Sequence, residues 1–275
     1  MAEHLSTTPT GIEILFEDGL PDAETGKSRR RQYLVNGEKL TSVTTALGCL
    51  DKAGLKYAAE KLGVQGAIDL ASRGELPMHV DGALSRMKSE GLRFWQVWDS
   101  KADRGTVAHE DLVGLVTGQA TPELDSYPLD SRGMIQGVSG WVADDRPTIT
   151  EAEVMVASVE HRFAGRHDLF GTLPAYGERR LLLDLKTTAK LPRYKGGAVK
   201  PPYPEMLLQL AGYEIARRES GYEPSDLQGV LRVDAEGAYD LFVTVVDPAS
   251  FLAVLGAYNA LRGVPTKPLE LEVAA

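Results

Sequence analysis

The chain has 275 residues, is 43% hydrophobic and 25% charged, and carries a formal net charge of −9. That balance suits one large globular domain or two small ones; no apolar run approaches the ~20 residues needed to span a bilayer; and Cys49, the single cysteine, excludes an intrachain disulfide and any cysteine-rich zinc or iron–sulfur site within the chain. The acidic total does not advertise nucleic-acid binding, although an enzyme on DNA needs only a local basic groove.

The opening Met1-Ala2-Glu3-His4-Leu5-Ser6 lacks the basic start and apolar stretch of a signal peptide, so a cytoplasmic location is the expectation. Residues 12–36 read as β structure. Ile12 and Ile14 flank Glu13 and run on into Leu15 and Phe16, and Gln32-Tyr33-Leu34-Val35 meets an Asn36-Gly37 turn, a strong hairpin signal. The basic run Lys27 to Arg31, with Arg30, reads as a phosphate grip or as a solvated loop. Thr41 or Ser42 caps a following helix. Helical segments fill most of 43–118, with breaks expected near Gly63, Gly74 to Pro77, Gly91 and Gly105; Phe94, Trp95 and Trp98 have helical spacing that suits core packing better than base stacking. Residues 131–145 form a further helix.

From Glu151 the pattern changes. Val154, Val156 and Val159, then Phe163 to Leu173, then Leu181 to Lys186 read as three strands. Lys190 to Pro204, holding Arg193, Lys195 and Lys200, reads as a mobile basic loop. Pro204 to Ser220 is an amphipathic helix. Leu227 to Val233 and Tyr239 to Val246 are strands joined by a turn at Ala235-Glu236-Gly237, and Asp247 or Ser250 caps a last helix reaching Arg262. No repeat or low-complexity tract forces a domain boundary. The expectation is one domain over 1–275, with an N-terminal hairpin and helical part over about 1–150 and a sheet core over about 151–262.

The chemistry concentrates between Gly165 and Thr188. Side chains alternate along a strand, so Asp184 and Lys186 point to one face and Leu185 to the other. Two acids, Asp168 and Asp184, beside one lysine can hold a hard cation that orients a phosphate and activates a water, with Lys186 stabilising the nucleophile or the developing charge. The plain alternatives are a turn aspartate, a surface strand end and a snorkelling lysine. Thr187 and Thr188 are phosphate donors or simple β-formers. Glu153 is either an additional acid near the metal or a solvated residue. His109 lies in a helical stretch, where a lone imidazole is usually neither ligand nor proton carrier. Gln209 and Tyr213, four apart, share one helix face. His161 and His167 receive no role, the latter because it should face away from Asp168.

These residues resemble the RecB-like branch of the PD-(D/E)XK nuclease superfamily, most of all its phage-type and CRISPR-associated exonucleases. The matching motifs run in order: Gly105-x-x-x-His109, Gly165-x-x-Asp168, Asp184-x-Lys186 and Gln209-x-x-x-Tyr213, with Thr41-Ser42-Val43-Thr44 similar to a Ser-Val-Thr segment of the phage enzymes. The resemblance covers about residues 30–220. It implies an α/β (α+β) restriction-endonuclease-like core, a mixed sheet flanked by helices. It also implies Mg²⁺ or Mn²⁺ held by His109, Asp168, Asp184 and the Leu185 carbonyl, with Lys186 assisting the water and Gln209 and Tyr213 supporting site and DNA. With one cysteine the chain departs from relatives that carry a four-cysteine iron–sulfur cluster, and no Walker A sequence accompanies it. The implied activity is a metal-dependent DNA exonuclease in phage-type recombination or end processing, acting on linear duplex or single-stranded DNA, as a homo-oligomer or beside a recombination partner, with no membrane association. A structure- or sequence-specific endonuclease on the same fold and a catalytically silent nucleic-acid-binding protein are the alternatives. Thr187, Thr188, Arg193, Lys195 and Arg30 are the candidate DNA contacts.

Overall fold

The computed structural model describes residues 3–17, 32–50, 53–119, 123–129 and 131–263, with side chains described throughout except at 53–55, 95 and 98–106. The basic run ending in Arg31 and the side chains of Trp95 and Trp98 fall outside that set. The described elements are β1 (Glu3–Thr7), β2 (Glu13–Glu17), β3 (Gln32–Val35), β4 (Glu38–Ser42), α1 (Val43–Ala46), α2 (Ala53–Ser72), α3 (Val80–Ser89), α4 (Phe94–Val116), α5 (Arg132–Asp145), β5 (Thr148–Ser158), β6 (Phe163–Thr172), β7 (Arg180–Thr188), α6 (Pro204–Glu219), β8 (Leu227–Asp234), β9 (Tyr239–Thr244) and α7 (Pro248–Gly263). Together they make a mixed α/β molecule of the α+β type. Its nine-stranded sheet runs β1-β2-β3-β4-β6-β7-β8-β9, with β5 paired to β6.

Local chemistry explains most of the boundaries. Asn36 and Gly37 both have positive φ, 49° and 80°, and link β3 to β4 through a two-residue turn whose twist matches the strands. Ser42, rather than Thr41, caps α1, its hydroxyl accepting the Thr45 N–H at 3.0 Å. Asp247, rather than Ser250, serves α7 by accepting the Ala249 N–H. The breaks near Gly74 and Gly91 are present, and both glycines adopt the left-handed conformation. Those expected at Gly63 and Gly105 are not: α2 and α4 run through them. One interior glycine costs a helix only about 1 kcal/mol, less than a helix of this length gains by continuing. β1 was not evident because Glu-His-Leu-Ser-Thr is polar; among the described residues it is an edge strand paired only with β2. Val159 lies past the end of β5.

The strand pairings prepare the site. β6 is antiparallel to β5 along its length, but its other edge is shared. β4 pairs in parallel with its start, at Phe163 and Ala164, and β7 pairs antiparallel with its end, from Leu169 to Thr172. Beyond Leu183, β7 leaves β6 and continues only against the parallel β8. The sheet therefore forks, and Gly165 to Asp168 border the opening. One face of the sheet buries Val156, Phe163, Leu182 and Val230 against α1, α6 and α7; the other buries Leu169, Leu181, Leu183, Leu185 and Leu231 against α4 and α5. A smaller cluster joins Phe16 and Val35 of the hairpin strands to Met155, Ala157 and Ala164.

Apart from a register shift between Ile149 and Glu151, the alternation of β5 and β6 slips at one place. In β5, Val154 and Val156 pack toward α6, yet Ala152 packs on the opposite face, where strict alternation would keep all three together. In β6, His167 and Phe170 both meet Arg217 of α6 while Leu169 joins the other face. The slip coincides with Glu153, whose φ of 53° is a left-handed conformation rare for a side-chain-bearing residue in a strand. Glu153 stands opposite Asp168, so both carboxylates are released from the regular in-and-out pattern.

Candidate metal centre

Four elements deliver side chains to the fork. Where β7 leaves β6, the Leu185 N–H and C=O lose their strand partners. Asp168 accepts the N–H at 2.6 Å and the His109 Nε2 lies 3.0 Å from the carbonyl oxygen. The polar demand of a forked strand thus fixes two of the residues singled out from sequence. His109 comes from α4 on one face of the sheet. Asp184 and Lys186 project toward the other, as alternation required, because Leu181, Leu183 and Leu185 fill the α4 side. Lys186 Nζ sits 2.5 Å from Asp184 Oδ2.

The His109 Nδ1 faces two carboxylates, Asp168 Oδ2 at 3.5 Å and Glu153 Oε1 at 3.7 Å. One ligand atom each from His109, Glu153 and Asp168 lies within 4.8 Å of the others, a grouping fit for a metal ion. Glu153, an ambiguous residue in the sequence, therefore belongs to the cluster. The Leu185 carbonyl, expected as a ligand, is here engaged by His109. Asp184 is 1% exposed, and neither of its oxygens makes a hydrogen bond; the Lys186 ammonium is its compensation. A buried carboxylate with open lone pairs is costly to keep unless a cation is to meet them.

The electrostatics follow from the crowding. Burial, reinforced by the Asp184 charge, pushes the Asp168 carboxyl up to about 7. Burial opposes charge on His109, but Asp168, Glu153 and Asp184 outweigh it and raise its pKa. Lys186 is raised as well: desolvation is overcome by the two aspartates. These are the responses of a site with more negative charge than its own cations neutralise.

Gln209 and Tyr213 lie on α6 behind this cluster. The Gln209 amide donates to the Tyr213 hydroxyl at 2.7 Å. The Tyr213 ring packs on Gly165, where a Cβ would stand 2.5 Å from Cε1, so the glycine of the Gly165-x-x-Asp168 stretch makes room for the tyrosine. Burial and the two aspartates hold the phenol well above its ordinary pKa, so it remains a neutral donor.

Other candidates are not brought to the fork. Thr188 donates its hydroxyl to the Lys190 carbonyl, and Thr187 is half-buried at the end of β7. The segment after β7, expected to be mobile, is folded by its own bonds. Asp234 accepts the Leu191 N–H, Tyr194 and Ala198 are bridged, and Arg193 donates to the Gly197 carbonyl. Asp234 also closes the Glu236 and Ala238 turn, which ties the start of the loop to the β8–β9 connection. Lys195 is exposed on it. Arg30 lies outside the described residues. His167, given no role, is fully buried against Arg217 at 2.6 Å. A second grouping, Glu160, His161 and Glu219, is a loop staple, since Glu219 already accepts from the Ser158 hydroxyl and the Glu160 N–H. Arg166 was not singled out, although in β6 it is two residues from Asp168; its Nε lies 2.7 Å from Glu153 Oε2.

No protein-family model and no curated protein matches the chain. Among solved structures, one described as the crystal structure of SSO0001 is similar at 15% sequence identity and a TM-score of 0.35, over 75% of this chain and 87% of that one. Among the described residues no helix is long and apolar enough to cross a membrane.

Proposed function

We propose that this chain is a metal-dependent DNA nuclease of the PD-(D/E)XK type, RecB-like branch, built on a restriction-endonuclease-like core and acting as an exonuclease. One observation carries the reading: at a fork in the sheet, His109, Glu153 and Asp168 form a grouping fit for a metal ion, and on the adjoining β7 the buried Asp184 keeps oxygens without hydrogen bonds, one of them 2.5 Å from the Lys186 ammonium. The strand sequence supports the core assignment, since antiparallel β5, β6 and β7 are followed through α6 by the parallel β8.

The donor set fits a hard divalent cation, Mg²⁺ or Mn²⁺, because it is rich in carboxylate oxygen with one imidazole. Asp168, Asp184, Glu153 and His109 would hold it. When bound, such an ion supplies charge that polarises a phosphate and acidifies a water. The chain's own groups do the rest. Lys186 keeps an ammonium beside Asp184, where it orients the attacking water and offsets negative charge growing on the phosphate. The Leu185 N–H holds the Asp168 carboxylate in place. Gln209 and Tyr213 close the site from the α6 side and keep a neutral hydroxyl near the aspartates.

The test is digestion of end-labelled single-stranded, linear duplex and covalently closed circular DNA, with Mg²⁺, Mn²⁺ or chelator. Linear DNA should be degraded only with metal, and Asp184→Ala and Lys186→Ala should each lower the rate by at least ~10²-fold. Full metal-dependent activity in both variants refutes the site assignment. Cutting of closed circles assigns the chain to the endonucleases, and DNA binding without turnover in either metal assigns it to the silent binding proteins.

A further inference from the structure

We infer that Arg166 binds a backbone phosphate of the nucleic-acid substrate, with Glu153 as the residue that aims it. The inference rests on the nuclease reading and adds a substrate contact to it. A chain of net charge −9 with an acidic centre must offset phosphate repulsion locally. Lys186 is committed to Asp184. Arg166 stands beside the same cluster and is not consumed by it: its side chain retains 42% of its exposure and its Nε meets Glu153 Oε2 at 2.7 Å. Among the described residues, Arg166 pairs with no carboxylate besides Glu153. Held by its Nε edge, a guanidinium still presents its outer N–H groups to a second anion, the geometry that suits phosphate.

Two contacts fix the direction of the side chain. Its guanidinium carbon lies 5.7 Å from the centre of the Phe16 ring of β2, which closes one side. Glu153 closes the other from its left-handed position, and its second oxygen turns toward His109. A single carboxylate thus ties the candidate metal centre to the candidate phosphate contact. Replacing a salt-linked surface arginine elsewhere on the molecule would leave the fork untouched; Arg166 is ion-paired with a member of the cluster itself.

The experiment measures DNA binding apart from turnover. A fluorescent 16-base-pair duplex is titrated by anisotropy in Ca²⁺ over a range of KCl concentrations, and Mg²⁺ binding to the DNA-free protein is followed by calorimetry. Arg166→Ala should weaken the duplex about tenfold and lower the slope of log K against log salt by about 0.9, the value for one lost phosphate contact. Arg166→Lys should recover the slope and part of the affinity. Mg²⁺ affinity should not fall in either variant, because loss of the guanidinium in Arg166→Ala leaves Glu153 with one competing cation fewer. Wild-type affinity and slope in Arg166→Ala overturn the inference, as does weaker DNA binding that comes with weaker Mg²⁺ binding and an unchanged slope, because that pattern marks a structural prop. A wild-type protein that neither binds nor cuts DNA defeats the nuclease reading and this contact together, whereas a wild type that does both beside an unaffected Arg166→Ala defeats the contact alone.

Discussion

At the scale of single residues, the centre is built from groups whose surroundings oppose their ordinary state. Asp184 is the clearest. It is buried, charged and short of hydrogen bonds, with one ammonium for compensation. Such a group lowers stability where it stands; in the proposed function it is the cation it would meet that offsets the loss. Asp184→Asn removes the charge and keeps the shape, while Lys186, still partly exposed, can turn to water or to Asp168. Thermal melts in chelator should show the variant at least as stable as wild type, by up to about 1 kcal/mol. Melts with Mg²⁺ should show its metal-induced stabilisation abolished. A large loss of stability in chelator would mean that the Asp184–Lys186 pair holds the fold rather than a ligand.

At the scale of elements, α6 is the connection that gives β7 and β8 their parallel arrangement, and it is pinned to the sheet by a buried cation. Arg217 is fully buried on α6. Its guanidinium bonds Glu151 of β5 at 2.7 Å and His167 of β6 at 2.6 Å, and stacks 3.8 Å over the Phe170 ring. Burial and the neighbouring guanidinium hold His167 well below its ordinary pKa, so the imidazole is neutral and accepts from Arg217. Arg217→Ala leaves a carboxylate and an imidazole stranded and should cost about 3–5 kcal/mol, whereas Arg217→Met fills the space and should cost less. Urea denaturation of the two variants checks the ordering. Equal losses would assign the role to the polar contacts with Glu151 and His167 alone. The same helix face carries Tyr213 and Gln209 one and two turns earlier, so this pin also sets how closely they approach Asp168 and Asp184.

At the scale of the whole molecule, the acid cluster links stability to pH and to cations. Asp168 is pushed up to about 7 in the folded protein, against about 4 for an exposed carboxyl. The native state thus holds its proton more tightly than the unfolded chain. Metal-free stability should fall as pH rises from about 4 to about 7, and the raised His109 carries the fall further as it loses its proton. A divalent cation competes with that proton, so Mg²⁺ should raise the melting temperature little at pH 5.5 and most above pH 7. Melts across that range with Mg²⁺ or chelator decide the point. An increment from Mg²⁺ that ignores pH would place the ion elsewhere.

Local periodicity settled a good part of this in advance. Alternation alone put Asp184 and Lys186 on one face of β7 and Leu185 on the other, helical spacing alone put Gln209 beside Tyr213, and Asn36-Gly37 announced its hairpin, because each depends only on backbone geometry within a few residues. What chain order could not contain was distance between elements. His109 reaches Leu185 across 76 positions only because β7 departs from β6 and leaves a carbonyl to be met. Glu153 and Arg166 join the centre through a left-handed kink that no glycine advertised. The residues able to do chemistry were written in the sequence; which of them share one opening was decided by long-range strand pairing and by the polar groups that its fork left unpaired.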